Sequence, residues 1–288
     1  MNNQVKVPKR IATVIINSLK GGVVPRVGLP YITVGRESEI NALLHDVDII
    51  ADGGASFRFV VGKYGSGKSF LLQTIRNYVM DKNFVVADAD LSPERRLQGT
   101  KGQGLATYKE LIQNLSTKTR PEGGALNLIL DRWINNIQGD VASNTNFLPE
   151  SQEFISLTQK KIYEVTMALN EMVHGFDFAK LLNIYYKAYI DDNEEDKAKV
   201  VKWFRGEYSN KTEAKADLGV NIIINDDNWY EYIKLFAMFL KKAGYNGLLI
   251  LIDELVNVYK IPNSITRQYN YEKILTMYND TLQGKAKH

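Results

Sequence analysis

The chain contains no cysteine, only three histidines (His45, His174 and His288) and seven prolines among its 288 residues. Without thiols there can be no disulfide, thiolate zinc site or cysteine nucleophile, and the histidines are too scattered for metal-ligand spacing. A lack of cysteine suits a reducing compartment. Long apolar runs are missing too. The longest, Leu-Leu-Ile-Leu-Ile at 248–252, is five residues, against the roughly 20 that a membrane-spanning helix needs. Lys9 and Arg10 precede an apolar stretch in the manner of a signal peptide, but Asn17, Ser18 and Lys20 interrupt it before any cleavage site. The expected location is cytoplasmic, with no membrane contact. Charge of one sign is also scarce: 36 basic and 33 acidic residues leave +3, too little to argue for nucleic acid. What is present is 44% hydrophobic and 10% aromatic residues, enough to build a substantial core and to exclude a disordered chain.

Along the chain the patterning changes twice. Residues 1–30 carry Lys6, Lys9, Arg10, Lys20 and Arg26 with no acid, and read as a basic leader with a short helix near 9–20 and a glycine- and proline-rich loop. From 31 to 98 the chain reads as α/β. Ile40, Leu43, Leu44, Val47 and Ile50 mark one helix face, 57–61 (Phe-Arg-Phe-Val-Val) a buried strand, Leu71, Leu72, Ile75, Tyr78 and Val79 a second helix, and 84–88 a second strand. Strand runs almost vanish from 99 to 245. Helical stripes replace them at Phe154, Thr158, Ile162, Val165, Leu169 and Met172, at Phe178, Leu181, Leu182, Tyr185 and Tyr189, and at Trp229, Ile233, Phe236 and Leu240. This stretch is expected to be a mainly helical insertion whose aromatics pack rather than stack on bases. The acidic run 191–196 within it reads as a solvated loop. From 246 to 288 the α/β signature returns with an aliphatic strand and one further helix.

The chemistry lies where these patterns meet. Gly62-Lys63-Tyr64-Gly65-Ser66-Gly67-Lys68-Ser69 satisfies G-x-x-x-x-G-K-[ST], the phosphate-binding loop. Its glycines let the backbone curl so that N–H groups turn toward phosphate oxygens, and the helix that follows adds its positive end. Lys68 is expected to reach the β- and γ-phosphates and Ser69 to ligate Mg2+. The run 248–252 ends on Asp253-Glu254, which supplies an acid for the metal and a second acid to polarise water. Lys68 and Asp253 are 185 positions apart, where a simple crossover takes roughly 30, and the helical insertion accounts for the gap. Asp88, Asp90, Glu94, Arg95 and Arg96 fall where the second strand ends, on the edge that carries ligands in such sheets. Lys109, Lys118 and Arg120 are weak candidates for touching a phosphate backbone.

Val34-Gly35-Arg36-Glu37-Ser38-Glu39, ahead of the loop, resembles the V-G-R-E-x-E segment that opens AAA+ ATPases of the origin-recognition type. That resemblance implies that Val34, Gly35 and Arg36 border the adenine. Together with 62–69 and 248–254 it makes the expected fold an α/β P-loop NTPase core of AAA+-like type with a large helical insertion. Four segments are also similar to the ATP-binding proteins of BREX-type phage-defence systems: Phe59-Val-Val-Gly-Lys-Tyr-Gly-Ser-Gly-Lys-Ser-Phe-Leu-Leu72, Asp90-Leu-Ser-Pro-Glu-Arg-Arg-Leu97, Leu115-Ser-Thr-Lys-Thr-Arg-Pro-Glu-Gly-Gly-Ala125 and Leu251-Ile-Asp-Glu-Leu-Val-Asn-Val-Tyr-Lys260. The similarity implies an ATPase that works beside DNA-processing partners such as helicases and methyltransferases, and AAA+ modules imply self-association. A complete AAA+ module continues with a sensor strand, an arginine finger and a lid. These are missing after Glu254, so the chain reads as truncated and its hydrolysis as weak. Arg267 is not assigned as a finger.

Three functions therefore stand as expectations: magnesium-dependent ATP hydrolysis, with Lys68 and Glu254 catalytic and Ser69 and Asp253 on the metal; an ATP-gated binding or assembly module with little turnover; and a small-molecule kinase, which the paired Asp253 and Glu254 disfavour.

Overall fold

The computed structural model describes residues 6–25 and 27–287. Of the features expected from sequence, Arg26 in the basic leader and His288 lie outside those residues, as do residues 1–5. Apolar periodicity becomes helix at α1 (Lys9–Lys20), α2 (Glu37–Ala51) and α3 (Lys68–Asp81). Strand β1 (Val85–Asp90) follows. Next come α4 (Gln103–Gln113), α5 (Leu126–Asn144), α6 (Gln152–Leu169), α7 (Gly175–Ile190), α8 (Glu194–Phe204), α9 (Lys211–Leu218) and α10 (Trp229–Lys242). Strand β2 (Leu248–Asp253), the short α11 (Val256–Tyr259) and α12 (Ser264–Leu282) complete the order.

The two strands pair in parallel, with Val85 level with Leu248 and Asp90 level with Asp253. Side chains alternate across a strand, and the packing follows that period. Val85, Ala87, Ala89 and Leu248 enter the large apolar cluster built by α4 to α10, whereas Val86 and Leu251 pack against Val47, Ile75 and Val79 of α2 and α3. The small sheet is therefore covered on both faces, the usual setting of parallel strands. The aromatics at helical spacing are core: Trp133, Trp203, Trp229, Phe178 and Phe236 are fully buried. Phe178 meets Phe236 edge to face at 5.1 Å, and Trp203 meets Tyr232 likewise at 5.1 Å.

Two sequence expectations are corrected. Residues 57–61 do not form a buried strand: they have no regular structure, and Phe59 and Val61 are 54% and 90% exposed. A strand is stabilised by its ladder, and among the described residues the sheet has two strands only. A cleft of about 650 Å³, lined by Phe57, Val60 and Val61 and by Leu249, Leu251 and Ile252, lies where pairing would have to occur. The segment is instead tied to α2 by a fork in which Arg58 donates to Asp46 through Nε at 2.6 Å and Nη2 at 2.9 Å. The acidic run 191–196 is not wholly loop either. Glu194, Glu195 and Asp196 form the first turn of α8, where the positive end of the helix dipole favours them, and the Asn193 side chain accepts from the Asp196 N–H at 3.1 Å.

Candidate nucleotide site

The loop 62–69 runs into α3 through Gly67, which caps the helix with φ +82°, a conformation open to glycine and strained for other residues. Gly65 lies at φ +75°. At Gly62 the loop closes tightly on itself: a Cβ there would stand 2.5 Å from Ser66 Oγ, which would have to rotate away. The helix of the strand-loop-helix pattern is present, and the strand, as described, is not. Lys68 folds back along the loop and donates from Nζ to the carbonyls of Gly62 at 3.1 Å and Lys63 at 3.0 Å. Tyr64 is wholly exposed.

The acidic partner comes from the far end of the chain. Ser69 Oγ donates to Asp253 Oδ2 at 2.5 Å, across 184 positions. The second oxygen of Asp253 accepts from the Glu254 N–H at 2.8 Å, and Glu254 is exposed in the left-handed region at φ +56°. Strain of this kind concentrates at functional sites. Ser69 and Asp253 offer only hard oxygen donors, and magnesium in phosphate sites is commonly held by one or two such protein oxygens with waters and phosphates completing the shell. The donor set therefore fits that ion. No cluster of three or more His, Cys, Asp or Glu suited to a metal occurs among the described residues.

Strand β1 runs two residues past the expected end at Asp88, and this brings Asp90 level with Asp253. Burial, with the negative charges of Asp253, Asp88 and Glu110, holds the Asp90 carboxyl above its ordinary range. Arg95, from the following turn, donates to the Asp90 carbonyl at 2.8 Å and sits 3.5 Å from Glu110. Asn257 donates to the Leu91 carbonyl at 2.7 Å, which ties the chain beyond β2 to the end of β1.

The segment 34–39 is split by the structure. Arg36 reaches the loop: Nη2 donates to the Ser66 carbonyl and Nη1 to Glu39 Oε1 at 3.0 Å. Val34 is 88% exposed, and nothing lies within 4 Å of a Cβ built on Gly35. Sequence reasoning missed the Ser66 contact because it joins residues 30 apart. The only signal was a basic residue immediately before a helix whose first turn is acidic. Lys118 pairs with Asp81 at 3.0 Å and Arg120 donates to the Gly123 carbonyl at 3.1 Å, so two of the three weak candidates for backbone contact, Lys109 being the third, have partners within the chain. Arg267 likewise donates to the Ile261 carbonyl at 2.8 Å.

No helix among the described residues is long and apolar enough to cross a membrane. No curated protein and no solved structure matches the chain. Residues 7–288, nearly the whole sequence, match the family described as BREX system ATP-binding protein BrxC/D. With its glycine loop and acidic strand end brought together, the chain belongs to that family of ATP-binding phage-defence proteins.

Proposed function

We propose that residues 62–69, Asp253 and Glu254 form an ATP-hydrolysing site. In this reading the protein is a P-loop ATPase of AAA+-like type, with 31–98 and 246–288 building the core and 99–245 inserted between its two motifs. The observation that carries it is the 2.5 Å contact between Ser69 and Asp253, which sets the hydroxyl that ends the glycine loop beside the carboxylate that ends β2, the two oxygen donors a phosphate-bound magnesium would need.

The loop amides of 62–69 and the N-terminus of α3 attract the phosphates. Lys68 leaves the Gly62 and Lys63 carbonyls and places its ammonium on the β- and γ-phosphates, and the exposed Lys63 and Tyr64 lie on the same loop. Ser69 and Asp253 would hold magnesium, which supplies charge neutralisation on the phosphate oxygens when bound. Glu254 accepts a hydrogen bond from the attacking water and orients it in line with the γ-phosphorus. Val34, Gly35 and Arg36 lie on the adenine side in this reading. Self-association, helicase or methyltransferase partners and a cytoplasmic location belong to the same proposal.

Titration with a fluorescent ATP analogue, followed by phosphate release, tests it. Glu254→Gln should retain ATP and lower turnover by about 10²–10⁴-fold, the range for loss of a positioned acid–base group. Unchanged turnover in that variant would remove Glu254 from the mechanism. A second reading, an ATP-gated assembly module, uses the same binding residues and differs only in turnover. Tight ATP binding without phosphate release, with or without DNA, would select it.

A further inference from the structure

We infer that Arg36 is a positioning residue for the phosphate loop, bracing it from outside by holding the Ser66 carbonyl. The inference rests on the ATP-site reading above and assigns Arg36 a role other than contact with adenine.

A trans peptide is planar, so its C=O and the N–H of the next residue point in opposite directions. Arg36 Nη2 donates to the Ser66 carbonyl, and fixing that carbonyl fixes the Gly67 N–H on the other side of the loop. Gly67 is the residue most free to let this peptide rotate, at φ +82°, and a Cβ on it would lie 3.3 Å from Arg36 Nη2. The guanidinium thus limits a freedom that the glycine introduces. Its own position is set from α2. Nη1 donates to Glu39 Oε1 at 3.0 Å, and Ser38 Oγ donates to the other carboxylate oxygen at 2.8 Å. The same stretch of chain meets α3 a second time where Thr33 Oγ1 and Thr74 Oγ1 stand 3.4 Å apart. A planar fork can serve the Ser66 carbonyl and Glu39 at once, whereas a lysine ammonium offers a point charge with a different geometry.

The test compares ATP and ADP affinity in the full chain for wild type, Arg36→Ala, Arg36→Lys, Glu39→Gln and Lys68→Ala, with the Gly67 amide followed by NMR. Arg36→Ala should weaken ATP and ADP equally, by about tenfold, the scale of one charge-assisted hydrogen bond. Arg36→Lys should recover part of that loss, and Glu39→Gln should give a smaller loss. The Gly67 amide of Arg36→Ala should broaden or double before nucleotide is added and sharpen in Arg36→Lys. A loss confined to ATP would make Arg36 a direct γ-phosphate contact and overturn the brace. Wild-type affinity in Arg36→Ala beside lost affinity in Lys68→Ala would overturn the brace alone. Failure of the wild-type chain to bind either nucleotide would overturn the site reading and the brace together. Should Arg36→Ala not fold, the Glu39→Gln and Arg36→Lys affinities decide: wild-type values in both overturn the inference.

Discussion

The helices between 103 and 242 and the segments that meet at 33–39, 62–69 and 253–257 are built on opposite terms. In the first region, Trp133, Phe178, Trp203, Phe204, Phe236 and Phe239 sit at 0–1% exposure and pack edge to face across α5, α7, α8 and α10. In the second, glycines hold positive φ at 35, 65 and 67, a glutamate joins them at 254, and large apolar residues such as Val34, Val61 and Tyr64 stand in solvent. One region gains stability from burial, and the other holds left-handed backbone and exposed side chains that burial does not explain. Stability and function are thus expected to separate by position.

The largest effect is expected in the aromatic core. Phe236 contacts Phe178 and Phe204 within 5.4 Å and is fully buried; Phe236→Ala should destabilise the chain by about 3–5 kcal/mol, read as a lower midpoint in chemical denaturation. At temperatures where the variant is still folded, its ATP affinity should match wild type. A large affinity loss in a folded variant would mean that the two regions are coupled.

The converse substitution lies in the glycine loop. Lys68→Ala removes an ammonium whose contacts lie within the loop itself, so ATP affinity should fall by roughly 100-fold, about 2.7 kcal/mol, with the denaturation midpoint unmoved. Loss of the fold in this variant would show that the loop contributes to stability.

The smallest effect is one of pH and falls between the two regions, at the fork joining Asp46 of α2 to Arg58. The Arg58 guanidinium holds the Asp46 carboxyl below its ordinary value of 3.8. Because the folded pKa is the lower one, the pair stabilises the fold above 3.8 and that contribution fades as pH falls through the folded value. Asp46→Asn should flatten the acid limb of the stability profile slightly, since Arg58 is largely in water and its pairing is screened. An unchanged acid limb would show that the fork does not hold residues 57–61 in place.

What could be read in advance followed the same divide. Periodicity located α2, α3, α6, α7 and α10 because a helix that buries one stripe must repeat its apolar residues near every 3.6 positions. The glycine loop was legible because its backbone conformation demands particular residue types. Residues 57–61 misled: Phe, Val and alternation describe a side chain's preference for a pleated surface, whereas strand formation needs a neighbour that local sequence cannot name. Acids at 194–196 read as loop because charge suggests solvent, yet the same charges favour a helix N-terminus. Asp90 was recognised as lying near the ligand edge, but its alignment with Asp253 depends on register, a property of two strands together.

Local sequence, then, set which stretches coil, which loop turns on glycines and which acids end the second strand, because these follow from backbone sterics and side-chain period over a few residues. Only the tertiary structure decided that Ser69 meets Asp253, that Arg36 grips the loop through Ser66, and that 57–61 stays outside the sheet. Each of these is a contact between distant segments, and its existence depends on how packed layers bring them together.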